Sequence, residues 1–239
     1  MNPKISIISV NWWALDFAKV LYNSVVKNSS VDFEIIFVDN SNNLDWEKDF
    51  CSDTRVIIIH PKENMGHGAG LNTGIEMARG EYILILDIDA HILLNGWGKK
   101  LIEQFEKNED LKLATATDGG LLKPARPLAM FFKRETIIDN GIDFKAVELR
   151  GIKFDVGVAA YFRILTLFGD KSVLKLPAQK TEFKDVLGNE YALNGESFVY
   201  HNWYGTRWYN KEGKRVHQKI DRISWNDFKI KKDNLFNQL

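Results

Sequence analysis

The first half of the chain alternates short apolar runs with longer amphipathic segments. The runs KISIISV, FEIIFVD, RVIIIH and EYILILD are rich in β-branched and aromatic residues, which is typical of buried strands. The segments LDFAKVLYNSVVKN and GLNTGIEMARG repeat apolar residues at helical spacing, and we expect the second helix to close at Gly80. Strands separated by helices predict an α/β fold in which a parallel sheet is covered by helices on both faces.

Each predicted strand ends in polar residues or is followed by a glycine-rich loop. In chain order, these groups are Asn11 and Trp12, then Asp39, Asn40 and Ser41, then the loop NMGHGAGLNTG, and finally Asp87 and Asp89. Ligands of parallel α/β sheets bind outside the carboxyl ends of the strands. The sequence therefore predicts a binding site along this edge of the sheet.

Composition places the chain among ordinary globular proteins. The formal net charge of its 239 residues is zero, so the charge balance gives no reason to expect nucleic acid as a partner. The single cysteine, Cys51, excludes an internal disulfide and a cysteine-rich metal site. The start MNPKISIISV has too short an apolar run for a secretory signal, and no segment is long enough to span a membrane. We therefore expect a cytoplasmic protein.

Two acidic residues lie close together in the segment YILILDIDAH. In an extended segment residues i and i+2 point the same way, so the carboxylates of Asp87 and Asp89 are expected on one face at the strand end. Two such anions repel each other unless a cation lies between them, which favours a divalent metal that carries a phosphorylated ligand. The alternative is an acidic turn whose carboxylates are solvated or cap the next helix.

The loop NMGHGAGLNTG carries four glycines ahead of a short helix. Glycines permit positive φ and let backbone N–H groups approach an anion near a helix N-terminus, although a flexible connection would use the same residues. A dinucleotide-binding fingerprint would place its glycines after the first strand and its acid after the second. Here the glycine loop follows the third strand, and the pattern G-x-x-x-x-G-K-[ST] is absent. This order argues against a Rossmann dehydrogenase and a P-loop protein.

Taken together, SIISVNWW, EIIFVDNSNN and ENMGHGAGLNTGIEMARGEYILILDIDA resemble the nucleotide-sugar-binding half of a family-2-type glycosyltransferase with a GT-A (nucleotide-diphospho-sugar transferase) fold. The resemblance covers residues 4 to about 95 closely and thins beyond them. It implies a single α/β domain with a mostly parallel central sheet flanked by helices. Within that domain, residues 1–95 are expected to bind the nucleotide sugar, residues 96–209 to bind the acceptor, and residues 210–239 to form a polar, basic tail.

The resemblance implies roles for the residues at the strand ends. Asp39, which we expect to face solvent, would hydrogen-bond the nucleobase, and Trp12 would lie beside that base. Asp87 would approach the ribose, and Asp89 would coordinate Mn²⁺ or Mg²⁺ bridging the diphosphate. The rest of the nucleotide-sugar pocket would be lined by Asn11, Ser41, Asn64, Gly66, His67, Gly70 and Asn72. Trp13 stands where the family usually has asparagine, and hydrophobic packing is the alternative role of both tryptophans.

The segment HNWYGTRW near the C-terminus supplies two further candidates. Enzymes of this fold often place a C-terminal histidine on the metal, which implies that His201 is a metal ligand. Arg207 is a candidate clamp on the diphosphate, although the surrounding aromatic residues are equally compatible with a cluster that covers the core. His91 is an alternative metal ligand, but we expect its imidazole to turn onto the next helix.

Asp155 in GIKFDVG is the residue that we expect to act as the catalytic base. The family places an acid near the N-terminus of a corresponding helix, and FDVGVAAYFRILTLFG predicts such a helix. A base in this position would remove the proton of the acceptor hydroxyl. Asp118 and Glu148 are competing candidates, and a helix-capping role is the alternative for Asp155.

The resulting hypothesis is a metal-dependent enzyme that moves a sugar from a nucleoside diphosphate sugar to a glycan or lipid-linked acceptor with inversion. Two alternatives share the layout: a nucleotidyltransferase that makes nucleotide sugars, and a non-catalytic protein that binds a nucleotide or sugar. The basic excess of the tail, residues 210–239, is compatible with peripheral contact to lipid headgroups at the inner membrane face, but an ordinary solvated helix explains it better.

Overall fold

The fold is built around one large sheet, which contains ten strands in the described part of the chain. A computed structural model describes residues 3–41, 43–118, 125–149, 151–203 and 225–239. The strands are β1 (Ile5–Asn11), β2 (Phe33–Asp39), β3 (Val56–Ile59), β4 (Tyr82–Leu86), β5 (Ala90–Ile92), β6 (Leu113–Thr117), β7 (Arg126–Lys133), β8 (Val147–Leu149), β9 (Ile152–Phe154), β10 (Val173–Gln179), β11 (Gly188–Leu193) and β12 (Glu196–Asn202). β8 and β9 form a separate hairpin.

Six α-helices accompany the strands within the described residues. They are α1 (Leu15–Asn28), α2 (His67–Met77), α3 (Trp97–Lys107), α4 (Arg134–Ile138), α5 (Val158–Phe168) and α6 (Trp225–Phe236). α1 and α3 contribute buried residues to the core on one side of the sheet, and α2 and α5 contribute to the core on the other. None of these helices has both the length and the apolar character that crossing a bilayer requires.

The large sheet is parallel in its first half and mostly antiparallel beyond it. Neighbouring strands follow the order β3-β2-β1-β4-β7-β6-β10-β11-β12-β5. The pairs among β3, β2, β1 and β4 are parallel, and so is the pair of β6 with β10. β7 runs antiparallel to β4 and β6, and the remaining pairs, from β10 to β5, are also antiparallel. The predicted α/β class and the parallel first half are confirmed, and the complete sheet is mixed.

The local patterns of the first half correspond to the elements that form. Every residue of β1, β2 and β4 is buried, because helices cover both faces of the sheet. α1 spans the same residues as the predicted helix LDFAKVLYNSVVKN. α2 differs from the prediction, since it begins at His67 and ends at Met77, ahead of Gly80. Gly80 donates its N–H to the Ser6 hydroxyl oxygen (2.8 Å) and so ties the start of β4 to β1.

Two glycines allow α2 to lie close to β1. A Cβ atom at Gly74 would lie 2.4 Å from Ile8 Cγ2, and one at Gly70 would lie 2.9 Å from Val10 Cγ2. Glycines that resemble a loop in the sequence therefore belong to a helix packed tightly on the sheet. Gly70 therefore acts through packing, because it lets α2 and the loop that precedes α2 lie close to the end of β1.

The C-terminal helix α6 docks on the first half of the chain. Leu235 is fully buried, and the Phe236 ring meets Phe17 of α1 with 5.3 Å between ring centroids. Lys232 forms an ion pair with Asp16 at the start of α1. An ordinary solvated helix therefore describes only the outer face of α6, because its other face is buried and two of its lysines, Lys231 and Lys232, are paired with Asp185 and Asp16.

Candidate active site

Two acidic residues and one histidine converge where β4 ends. A turn follows β4, in which the Ala90 N–H donates to the Asp87 carbonyl oxygen (2.9 Å). The chain then enters β5, which pairs with β12 so that Ala90 lies opposite His201. The Asn202 N–H donates to the Asp89 carbonyl oxygen (2.9 Å) and fixes the turn against β12. His201 Nε2 lies 3.4 Å from Asp89 Oδ1 and 3.7 Å from Asp87 Oδ2.

These three residues, here called the Asp-Asp-His cluster, have the donor set of a cation site. One ligand atom from each of Asp87, Asp89 and His201 lies within 4.8 Å of the other two. Asp87 Oδ1 and His201 Nδ1 are buried without a hydrogen-bond partner among the described residues. Carboxylate oxygens and an imidazole nitrogen suit Mn²⁺ and Mg²⁺ sites with few protein ligands, so the residues fit the metal that the resemblance implies.

The charges of the cluster depend on one another. Burial raises the pKa of Asp87, and the negative charges of Asp89 and Asp155 raise it further, while His67 and His201 act in the opposite direction. Burial alone would lower the pKa of His201, but Asp89 and Asp87 outweigh this effect, and the pKa of His201 is raised. A positive charge beside Asp87 therefore opposes the effect of burial on its carboxylate, and a divalent cation would supply that charge more strongly than a protonated imidazole.

The cluster assembles by a different route from the one predicted. Asp87 and Asp89 lie in a turn between β4 and β5, whereas the sequence analysis places them on one face of an extended strand end. His201 lies inside β12, one residue before its end. The acidic pair and the histidine meet because β5 pairs with β12, and this pairing joins segments far apart in the sequence.

His91 packs against aromatic rings of the second half of the chain. Its ring is buried 5.0 Å from the Tyr200 ring and 6.4 Å from the Phe183 ring, measured between centroids. Burial, with a smaller contribution from the charge of His201, lowers the pKa of His91 to about 3. The expectation that its imidazole turns onto the next helix is wrong, because β12 and the segment before β11 provide its neighbours.

The loop before α2 is anchored to the end of β2. Asn40 accepts the Met65 N–H through Oδ1 (3.2 Å) and donates through Nδ2 to the Gly66 carbonyl oxygen (3.3 Å). Asn64 Oδ1 accepts the Gly66 N–H (2.8 Å), and Gly66 adopts a φ of +82° immediately before the helix. Side-chain bonds therefore fix the shape of the loop, and Asn64 and Gly66 contribute to the site through the backbone they hold.

Two predicted pocket residues of α2 have different neighbours. His67 Nε2 lies 3.4 Å from Asp87 Oδ1, so the first residue of the helix reaches the Asp-Asp-His cluster. Asn72 donates through Nδ2 to Asp143 Oδ1 (3.0 Å) and accepts the Phe144 N–H through Oδ1 (3.1 Å). The structure thus brings His67 to the cluster and directs Asn72 to the segment after α4. A nucleotide contact by Asn72 stays a prediction.

Asp39 lies at the centre of a buried hydrogen-bond network. Its side chain is fully buried, which contradicts the expectation that it faces solvent. Asp39 Oδ1 accepts from Asn11 Nδ2 (2.7 Å), from the Ser41 N–H (3.1 Å) and from the Ser41 hydroxyl. Asp39 Oδ2 accepts the Asn43 N–H (3.0 Å) and lies 3.4 Å from His60 Nδ1, a contact that the sequence analysis did not anticipate. The carboxylate therefore joins the ends of β1, β2 and β3.

Replacing Asp39 with alanine is expected to lower the free energy of unfolding by about 3 kcal/mol, because several buried donors lose their shared acceptor. Urea denaturation monitored by circular dichroism measures this change. Asp110→Ala, in an exposed turn, is the control and should change the free energy by less than about 0.5 kcal/mol. An Asp39→Ala protein as stable as its parent would contradict the structural role of this network.

Two tryptophans lie just beyond the carboxyl end of β1. Trp13 has a φ of +58°, a left-handed conformation that is uncommon for a residue other than glycine. The rings of Trp12 and Trp13 meet edge to face with 6.0 Å between centroids, and both residues are only partly buried. Ring surface is therefore accessible at the same edge of the sheet as the Asp-Asp-His cluster. The contact between Trp12 and a nucleobase stays a prediction.

The three candidate bases differ in how their carboxylates are used. Asp155 is exposed, accepts the N–H of the next residue through Oδ1 (2.9 Å), and contributes to the raised pKa of Asp87. The N-cap of α5 is Gly157, without a side-chain capping bond, so the capping role considered for Asp155 is wrong. Both carboxylate oxygens of Asp118 accept hydrogen bonds from side chains. Glu148 is exposed on the β8–β9 hairpin.

Two residues at this edge are absent from the sequence predictions. Arg126, the first residue of β7, donates its Nε–H to Asp118 Oδ2 (2.7 Å), and the Tyr191 hydroxyl donates to Asp118 Oδ1 (2.7 Å). The charge of Arg126 opposes protonation of His201, so the guanidinium is within electrostatic reach of the cluster. No motif marks Arg126 or Tyr191, because only the folded sheet brings them together.

Arg207, the predicted diphosphate clamp, lies outside the described residues.

The sheet order, the anchored glycine loop and the Asp-Asp-His cluster define the class of GT-A glycosyltransferases. Residues 6–163 match Glycosyl transferase family 2, and the chain belongs to this family. It is 30% identical over 177 residues to the uncharacterized glycosyltransferase MJ1057 of Methanocaldococcus jannaschii. The matched segment covers 64% of this chain and 60% of the relative. The family predicted from the sequence motifs is thereby confirmed.

Two solved structures share the fold. S. aureus TarS 1-349, in complex with UDP, has a TM-score of 0.54 and 16% identity, over 82% of this chain and 59% of that one. The mannosyltransferase PcManGT from Pyrobaculum calidifontis, in complex with GDP-Man and Mn²⁺, has a TM-score of 0.58 and 14% identity, over 74% of this chain and 55% of that one. The chain therefore spans less than two thirds of the length of each of these relatives. The predicted GT-A-like architecture is confirmed.

Proposed function

We propose that this chain transfers a sugar from a nucleoside diphosphate sugar to a hydroxyl group of a glycan or lipid-linked acceptor, with Mn²⁺ or Mg²⁺ as cofactor. The observation that carries the proposal is the Asp-Asp-His cluster, whose ligand atoms lie within 4.8 Å of one another at the carboxyl edge of the sheet. One protein of similar fold is in complex with UDP, and another is in complex with GDP-Man and Mn²⁺. These ligands support a nucleotide sugar as the donor. The acceptor class follows from the family resemblance.

Asp87, Asp89 and His201 would hold the metal. A divalent cation bound there would act as a Lewis acid and offset the charge that develops on the leaving diphosphate. The chain contributes a preformed arrangement of ligands: Asp89 is buried, and His201 is fixed within β12. Such preorganisation favours the charged transition state, because the ligands need no rearrangement when the charge develops.

The nucleotide would lie along the carboxyl ends of β1, β2 and β4. The N–H groups of Met65 and Gly66 already have side-chain acceptors, but those of the first turn of α2, which begins at His67, are suited to a phosphate group. Trp12 would lie beside the base. Asp39 would act mainly through the residues it holds, Asn11 and Ser41, because its oxygens already accept hydrogen bonds from the protein.

Inversion at the anomeric carbon would take place in one displacement. The acceptor hydroxyl oxygen forms a bond to the anomeric carbon while the bond from that carbon to the diphosphate oxygen breaks. Asp155 would take the hydroxyl proton, because it is exposed near the cluster and only its Oδ1 has a hydrogen bond among the described residues.

The donor class is tested by thermal unfolding with UDP, GDP, ADP and CDP, each with and without Mn²⁺. A diphosphate that binds the folded protein at a hundredfold excess over its Kd should stabilise it by about 2.7 kcal/mol, and we expect this effect to require the metal. The base that gives the largest shift identifies the preferred nucleotide. If no nucleoside diphosphate stabilises the protein, the proposed function is wrong.

Product analysis separates the proposed activity from its two alternatives. The protein is incubated with nucleotide sugars and Mn²⁺, and free nucleoside diphosphate is measured. A transferase releases this product, slowly to water when no acceptor is present. A nucleotidyltransferase would instead release pyrophosphate from a nucleoside triphosphate and a sugar phosphate, and a binding protein would release neither.

The same proposal assigns the donor and the acceptor to different parts of the chain. Residues 1–95 carry the predicted nucleotide-sugar contacts, and residues 96–209 include Asp155 and the surfaces available to an acceptor. The tail, residues 210–239, is assigned no catalytic role. The cytoplasmic location, with a peripheral contact of the tail at the inner membrane face, stays a prediction.

A further inference from the structure

A second cluster of polar residues lies at the edge of the candidate active site. It consists of Asp118 after β6, Arg126 at the start of β7 and Tyr191 in β11, and is here called the Asp-Arg-Tyr cluster. Arg126 donates from Nε to Asp118 Oδ2 (2.7 Å) and contacts the same oxygen through Nη2. The Tyr191 hydroxyl donates to Asp118 Oδ1 (2.7 Å). Oδ2 of the carboxylate therefore holds Arg126, and the bond from Tyr191 to Oδ1 fixes the orientation of the carboxylate.

The Asp-Arg-Tyr cluster adjoins the Asp-Asp-His cluster. The Asp87 N–H donates to the Leu128 carbonyl oxygen (3.1 Å), two residues along β7 from Arg126. This bond places the start of β7 beside the turn that carries the acidic pair.

Arg126 retains hydrogen-bond donors that an anion could use. Asp118 engages Nε–H and Nη2–H, so three of the five N–H donors of the guanidinium have no partner among the described residues. The Arg126 side chain is 25% exposed, so a ligand can reach it from solvent. The planar fork of a guanidinium matches the oxygens of a phosphate, and its charge is retained at any physiological pH.

We propose that Arg126 binds the β-phosphate of the nucleoside diphosphate beside the Asp-Asp-His cluster, with Asp118 and Tyr191 as positioning residues. The inference rests on the proposed function and adds a residue that neither the motifs nor the family match identifies. The leaving diphosphate gains negative charge as its bond to the sugar breaks. A cation held in place before this step stabilises the developing charge without reorganisation.

The chain offers a matched control at the opposite edge of the sheet. Arg55, just before β3, donates from Nε to Asp53 Oδ1 (2.9 Å) and from Nη2 to Asp53 Oδ2 (2.7 Å). The Tyr22 hydroxyl donates to Asp53 Oδ2 (2.7 Å). This second arginine–aspartate–tyrosine set has the same kinds of hydrogen bonds but lies away from the Asp-Asp-His cluster, at the amino end of β3.

The test compares Arg126→Gln with Arg55→Gln by isothermal titration in Mn²⁺, using UDP or GDP, whichever the parent binds more tightly, and the matching monophosphate. Arg126→Gln should weaken diphosphate binding by about tenfold or more, the effect of losing a charged hydrogen bond. Monophosphate binding should change less than about twofold, since a contact to the β-phosphate is absent there. Arg55→Gln should leave both affinities within about twofold of the parent.

The tyrosines provide a second, smaller comparison. Tyr191→Phe should weaken diphosphate binding selectively, because Arg126 loses part of its support, whereas Tyr22→Phe should not. If Arg126→Gln fails to fold by circular dichroism, Arg126→Lys replaces it, and the loss of the fork should still weaken diphosphate binding more than monophosphate binding.

Four results would overturn the inference. Unchanged diphosphate affinity in Arg126→Gln would remove Arg126 from the phosphate site while leaving the proposed function standing. An equal loss of diphosphate and monophosphate binding would show a general disturbance of the pocket. A parent protein that binds no nucleoside diphosphate would refute the proposed function and this inference together. A loss confined to an acidic donor such as UDP-glucuronate, with UDP unaffected, would assign Arg126 to the sugar and also contradict the proposal.

Discussion

Asp89→Ala is expected to weaken metal-dependent binding of a nucleoside diphosphate by more than about a hundredfold. The loss of an outer-shell partner of a metal costs up to about a hundredfold, and the loss of a direct ligand should cost more. Asp89 is buried, and its Oδ1 lies 3.4 Å from His201 Nε2, so its loss removes one of the three residues that fit the ion. Without Mn²⁺, parent and variant should bind the nucleotide with similar, weak affinity.

Isothermal titration with and without Mn²⁺ measures this effect. The variant should keep its fold, because the backbone bond from Asn202 to the Asp89 carbonyl oxygen does not involve the side chain. Asp110→Ala, in an exposed turn, serves as a control for removing one negative charge. Full metal dependence in Asp89→Ala would exclude the Asp-Asp-His cluster as the metal site.

Asp155→Asn is expected to lower the rate of sugar transfer by about a hundredfold or more while donor and metal binding stay at the parental level. The amide cannot accept the acceptor proton, although it can keep the hydrogen bond from the next residue's N–H. Initial rates with a nucleotide sugar and acceptor, and binding of the nucleoside diphosphate alone, separate the two effects.

Asp118→Asn and Glu148→Gln complete this comparison. Asp118→Asn should affect donor binding as well as rate, because Asp118 holds Arg126 through Oδ2 while its Oδ1 accepts from the Tyr191 hydroxyl. Glu148→Gln should change neither, since its side chain is exposed on the hairpin. A near-parental rate for Asp155→Asn would move the base to whichever of the other two variants loses transfer with donor binding intact.

The sequence predicts the first half of the fold well because the relevant signals are local. β1, β2 and β4 are continuous apolar runs, and α1 has apolar residues at helical spacing over its whole length. The start of α2 differs because Gly68 and Gly70 resemble loop residues, while their small size serves close packing on the sheet. Such a use of glycine depends on a tertiary neighbour that a local pattern does not contain.

The site is predictable only in the part that motifs mark. Asp87 and Asp89 can be identified from their position after a strand, and His201 from the family resemblance, but their convergence depends on the pairing of β5 with β12. The burial of Asp39 depends on donors from β1, β3 and the following loop. Arg126 meets Tyr191 through Asp118 across three strands, which no spacing in the sequence reveals.

The short strand β5 has a consequence for how the chain can be divided. β5 follows β4 within a few residues, yet β7, β6, β10, β11 and β12 lie between them in the sheet. A fragment that ends before β12 would leave β5 without its partner and expose an unpaired edge, which favours aggregation. Residues 1–95 are therefore not an autonomous module that could be joined to a different second half. Any truncated or recombined form of the chain must keep the pairing of β5 with β12, because this pairing brings His201 to Asp87 and Asp89.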